Sequence, residues 1–177
     1  MAYLASIGVT LLDATRPFIW STRLGGVGFG DDDRLGWKAA GVNLFAYVVP
    51  PRCPDRQVPP IETIIITHSH GLQVALYATA EGLKIDTLID VAGPVRRDMA
   101  YIARTARQNI RFWAHLVGGK RDLWQVAGAL FDGHLGIVRE HPLADTNTRV
   151  PGAWHGGPLR DPALFSFVGR LLAEQPR

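Results

Sequence analysis

An α/β fold, with a mainly parallel sheet flanked by helices, is the architecture this sequence predicts, on three observations. Short runs rich in Ile, Val and Leu (Ile61–Ile66, Ile85–Val91 and Ile110–Val117) have the length and composition of strands buried on both faces. Between them lie segments that read as helices, Leu72–Ala80 and Asp98–Gln108. The connections are short, and strands alternating with helices in this way form parallel crossovers instead of hairpins. At 177 residues the chain has the size of one domain, so a single compact unit over 1–177 is expected.

Taken in order, Ala2–Leu12 is uniformly apolar and fits a strand or a short helix equally well. Pro17–Trp20 reads as a short strand, followed by the glycine-rich loop Ser21–Gly30, which suits either a plain connection or backbone N–H groups facing an oxyanion. Asp31, Asp32 and Asp33 suit the positive start of a helix running to about Ala40, with Gly41 as its stop. Capping and solvation account for the three carboxylates without a bound cation. Gly41–Val49, rich in Val, Leu, Phe and Tyr, is expected as a strand that must end at Pro50-Pro51. The proline-rich loop Arg52–Pro60 then leads into Ile61–Ile66 and the helix from Leu72, which Gly82 breaks. Ile85–Val91 ends at Ala92-Gly93-Pro94, and Ile110–Val117 at the turn Gly118-Gly119. Asp122–Phe131 reads as a helix and Arg149-Val150 as a strand remnant. Pro162–Glu174 is the last helix, with Leu164, Phe165, Val168, Leu171 and Leu172 on its inner side.

Charge narrows the partners. Nineteen Lys and Arg against sixteen Asp and Glu leave a net charge of +3, and Arg96, Arg97, Arg104, Arg107 and Arg111 fall in one neighbourhood. With no nucleic-acid motif beside them, these arginines read as a solvated helix face, and no nucleic-acid partner is expected. Cys53 is the only cysteine, which excludes an intrachain disulfide. Met1–Leu12 lacks a basic leading region and meets Asp13 early, so neither a signal peptide nor stable membrane insertion is expected, and the expected compartment is the cytoplasm.

The chemistry centres on Ile64-Ile65-Ile66-Thr67-His68-Ser69-His70-Gly71. A strand runs into a compact polar turn and a helix follows, which presents Ser69 at a sharp corner at the sheet edge. A serine hydroxyl is a poor nucleophile until a base takes its proton, and the base in turn needs a carboxylate to fix its tautomer. Ser69, Asp122 and His155 each follow a predicted strand, in the order nucleophile, acid, base. Asp98 and Asp132 are substitute acids, and Asp122 could equally cap the helix that begins at Leu123. His155 is better placed as base than His134 or His141, and His115, inside a strand, reads as a satisfied core histidine.

At these residues the chain resembles the α/β-hydrolase family. The resemblance runs through Phe18–Trp20 and its loop, the turn around Ser69, Gly118–Asp122, and Val150–His155. It implies a nucleophile elbow with Ser69 as nucleophile, Asp122 as acid, and His155 as general base and then general acid. The oxyanion hole would be formed by the backbone N–H of His70 with a second donor from Thr22 or Arg23. A compact core without a cap domain is implied, acting on a small-molecule ester or related acyl substrate and needing no cofactor. Thr67 departs from the pattern, because it occupies the first glycine position of the turn and a β-branched residue crowds a strained corner. Trp20, Trp124 and Trp154 could wall the site or belong to the core.

Thr67-His68-Ser69-His70-Gly71 also resembles the opening of the metallo-β-lactamase zinc motif. That family continues with Asp and His, whereas Leu72 and Gln73 stand here, so His68 and His70 would need ligands from elsewhere. A hydrolase-like module that binds without catalysing is the remaining alternative.

Overall fold

The computed structural model describes residues 36–49, 62–117, 140–149 and 162–174. Its elements, in chain order, are α1 (Trp37–Val48), β1 (Ile64–His68), α2 (Gly71–Ala80), β2 (Ile85–Val91), α3 (Ala100–Arg107), β3 (Ile110–Val117), β4 (Thr146–Arg149) and α4 (Pro162–Glu174). The four strands form one sheet in the order β1-β2-β3-β4, and every neighbouring pair is parallel. The expected α/β arrangement is therefore present, with α2 linking β1 to β2 and α3 linking β2 to β3.

Alternation along the strands divides the side chains between two apolar layers. Leu88 and Trp113, register partners on β2 and β3, pack with Leu72, Ala75 and Leu76 of α2 and with Ala103 and Ala106 of α3. On the opposite face Ile89, Val91 and Leu116 meet Val168 of α4, with Phe167, Leu171 and Leu172 alongside. Helices thus cover both faces, which is why β2 and β3 read as nearly continuous apolar runs. Each fully buried Leu or Ile contributes about 1.5–3 kcal/mol relative to exposure.

One expected element is wrong. Gly41–Val49 is not a strand: it belongs to α1, which runs unbroken from Trp37 to Val48, so Gly41 does not stop the helix that was expected to end near it. Trp37, Ala40, Gly41 and Leu44 are buried, and this is helical spacing, which a strand cannot present on one face. A Cβ on Gly41 would stand 2.6 Å from the Tyr77 Cβ and 2.9 Å from the Ala78 nitrogen. The glycine is there for close approach of α1 to α2, not for termination.

The other described elements match their expectations, with shifts at the ends. β1 begins at Ile64 instead of Ile61, α3 is shorter than Asp98–Gln108, and the remnant expected at Arg149-Val150 is the strand Thr146–Arg149. Ala2–Leu12, Pro17–Trp20, Ser21–Gly30, Cys53 and Asp122–Phe131 lie outside the described residues, as do the side chains of Leu164 and Phe165. Three of the five clustered arginines face carboxylates: Arg96 pairs with Asp98, Arg107 with Asp145 and Arg111 with Asp86. No helix among the described residues is long and apolar enough to cross a membrane.

Replacing Gly41 by Ala tests the helix contact. Alanine is the better helix former by about 1 kcal/mol, yet the overlap with the backbone of α2 should outweigh this and destabilise the protein by about 1–3 kcal/mol. Urea unfolding of Gly41→Ala measures the difference, and a neutral or stabilising result would contradict the packing described.

Candidate active site

Only Ser69 and His70 separate the end of β1 from the start of α2. A chain that must turn from strand to helix in two residues needs a left-handed step, and Ser69 supplies it with φ 53°. For an L-residue with a Cβ this costs about 1 kcal/mol or more. The corner is held by its backbone: the Ser69 N–H donates to the Val91 carbonyl at 2.9 Å, and the N–H groups of Leu72 and Gln73 donate to the Ser69 and His70 carbonyls at 3.1 and 3.0 Å. Ser69 is half-buried at the carboxyl end of β1, beside the positive end of α2. A Cβ built on Gly71 would lie 3.6 Å from the Thr67 Cβ, an ordinary contact across the corner.

The outer side of the corner is aromatic and charged. The His70 ring stacks on Trp37 with centroids 5.1 Å apart and an interplanar angle of 18°. The Arg96 guanidinium lies 5.1 Å from the centre of the same indole and donates to Asp98 through Nε at 2.9 Å and a terminal nitrogen at 2.5 Å. Asp98, a substitute acid on sequence grounds, is thereby committed to Arg96. Gln73, buried in the first turn of α2, donates Nε2 to the Pro94 carbonyl at 2.9 Å and ties the helix to the segment after β2.

Of the residues expected in the site, Ser69 and His70 stand together at this corner. Asp122, His155, Thr22 and Arg23 lie outside the described residues, as do Asp132, His134, Trp20, Trp124 and Trp154. Asp122 follows β3 in the chain, and His155 follows β4. Among the described residues no group of three or more His, Cys, Asp or Glu side chains could hold a metal ion. The stacked ring of His70 is engaged with Trp37.

Beneath the corner lies a polar row that sequence reasoning did not assemble. Thr67, Asp90, His115 and Asn147 are successive register partners across all four strands. Thr67 Oγ1 donates to Asp90 Oδ1 at 3.4 Å, and His115 Nδ1 contacts Asp90 Oδ2 at 2.5 Å. Asp90 and His115 have no solvent exposure. Asn147 instead brackets the loop before β4, accepting from the His141 N–H at 2.7 Å and donating to its carbonyl at 3.2 Å. His115 is the satisfied core histidine that was expected. The signal for its partner was a single carboxyl in the otherwise apolar Leu88-Ile89-Asp90-Val91, since a charge in a buried strand requires a mate.

His141 packs its ring against Trp113 at 4.1 Å and edge-on to His115 at 5.9 Å. Burial, and after it the nearby His115, lowers its pKa from 6.5 to about 3. The folded protein thus keeps His141 neutral where the unfolded chain would protonate it, so this residue's contribution to stability is present above pH 6.5 and is lost as pH falls from 6.5 toward 3. The slope reaches at most about 1.4 kcal/mol per pH unit. Urea unfolding from pH 4 to 7 should show this acid sensitivity in the native sequence and a flatter curve in His141→Phe; equal slopes would refute it. Comparison of the chain with protein-family models, with curated proteins and with solved structures gave no match.

Proposed function

We propose that this chain is a serine hydrolase cleaving a carboxylic ester or related acyl bond, with Ser69 as the nucleophile of an α/β-hydrolase core that carries no cap domain. The observation that carries the reading is a half-exposed serine, Ser69, standing at a left-handed corner between a parallel strand and a helix. A corner of this kind is what a nucleophilic serine needs, with its hydroxyl off the sheet and a backbone N–H at the helix start to meet an oxyanion. The order of the chain supports the remaining assignments: Asp122 after β3 as the acid and His155 after β4 as the base.

In this mechanism Ser69 Oγ attacks the acyl carbon while His155 takes its proton, and Asp122 steadies the imidazolium. The negative oxygen of the tetrahedral intermediate is met by the His70 N–H and a second donor from Thr22 or Arg23. Collapse expels the alcohol, which takes its proton from His155. Water activated by His155 then attacks the acyl-enzyme, releasing the acid and restoring Ser69. Loss of one oxyanion donor costs on the order of a hundredfold in rate.

A fluorophosphonate probe tests the nucleophile. Labelling that disappears in Ser69→Ala, together with loss of ester hydrolysis, is the expected outcome. Absence of labelling and turnover in the native protein would instead favour a binding module, and loss of turnover with chelator would favour a metal-dependent enzyme. Ser69→Gly separates strain from chemistry: it should abolish labelling while raising stability by roughly 0.5–1 kcal/mol, because glycine adopts this φ without penalty. A less stable Ser69→Gly protein would mean that the serine's own contacts outweigh the strain of the corner.

A further inference from the structure

Besides the β1–β2 ladder itself, two hydrogen bonds tie the Ser69 corner to the end of β2. One is the Ser69 N–H on the Val91 carbonyl; the other is the Thr67 hydroxyl on Asp90 Oδ1, one residue before Val91. The second depends on a side chain whose other oxygen is engaged by His115 Nδ1. With a rise of about 3.3 Å per residue, the Thr67 anchor lies about 7 Å below the nucleophile along β1. The carboxyl group is covered as well: a Cβ on Gly93 would reach within 2.7 Å of the Asp90 Cγ, so the segment leaving β2 passes directly over it.

Stability alone does not call for this arrangement. Well-packed apolar residues in place of a buried carboxyl and imidazole are often neutral or stabilising, whereas the pair gives direction. The contact with His115 sets the rotation of the Asp90 carboxyl, and that carboxyl is the acceptor the Thr67 hydroxyl faces across the ladder. Threonine at the position where the resemblance expects glycine is then an added handle.

We propose that Thr67, Asp90 and His115 are positioning residues that hold the Ser69 hydroxyl at its reactive height, an inference that rests on the nucleophile reading above. None of the three touches substrate in this proposal; they act through β1. A displacement of about 1 Å at a reacting atom can cost on the order of a hundredfold in rate, so loosening the anchor should lower kcat and leave KM nearly unchanged.

The test compares Thr67→Val, Thr67→Ser and Asp90→Asn with the native protein, using the rate of fluorophosphonate labelling and the kcat and KM of a chromogenic ester, at a temperature where circular dichroism shows each protein folded. Thr67→Val preserves shape and removes only the hydroxyl, so it remains informative if Asp90→Asn does not fold. The expected result is labelling and kcat about 10- to 100-fold lower in Thr67→Val, KM within about twofold, and recovery to within about threefold of native in Thr67→Ser. Native rates in folded Thr67→Val, with labelling still abolished by Ser69→Ala, would overturn the positioning role and leave the nucleophile intact. A native protein that the probe does not label would bring down both.

Discussion

A carboxyl group and an imidazole without solvent access stand side by side in the middle of this sheet, and the strand register depends on their meeting. Asp90 and His115 are exact opposites across β2 and β3, and both lie among side chains that leave no water to take the place of either partner. Breaking such a pair by removing one member costs about 3–5 kcal/mol, because the other stays buried without its closest partner. Slipping β2 by one residue would be worse. It would turn Asp90 to the opposite face, among the apolar side chains of Leu116, Val168 and their neighbours. The apolar residues supply the free energy of the core, and this pair removes the alternatives.

The same row carries order outward to both edges of the described sheet. Toward β1 it reaches Thr67 and, through the strand, the corner at Ser69. Toward β4 the row passes to Asn147, whose amide holds the backbone of His141, and the His141 ring returns to pack on Trp113. A second tie runs beside it: Asp145 accepts from the Trp113 N–H at 2.8 Å, donates its own N–H to the Trp113 carbonyl at 2.9 Å, and pairs with Arg107 at the end of α3. The short strand β4, with little apolar surface of its own, is therefore placed by polar contacts to β3.

How much of this is legible in sequence depends on how the information is carried. β2 and β3 are written as runs of apolar residues, and their boundaries follow from composition. The corner at Ser69 is legible because strand, polar turn and helix follow one another without a gap. α1 is misread because Val, Phe and Tyr favour strands and Gly41 and Pro50 look like stops, whereas the spacing of Trp37, Ala40, Gly41 and Leu44 is helical and packing against α2 decides the matter. The Asp90–His115 pair is out of reach for a different reason. It joins residues on separate strands, and which of several carboxyls meets which histidine is settled by register, a property of the folded sheet.

Ala92 sharpens what Ser69 means. It too has a left-handed backbone, with φ 54°, and its N–H donates to the Leu116 carbonyl at 2.8 Å just as Ser69 donates to Val91. Two neighbouring strands thus leave the sheet by the same step, each bonded to the strand beyond it. The strained conformation is therefore a way of leaving this sheet and is not, by itself, a mark of catalysis. What separates the two positions is the side chain and its surroundings. Ala92 is wholly buried and offers a methyl group, whereas Ser69 is half-exposed, offers a hydroxyl and opens directly into a ten-residue helix. The case for chemistry at Ser69 rests on that combination, a strained step supplied by the architecture and occupied by a residue that can use it.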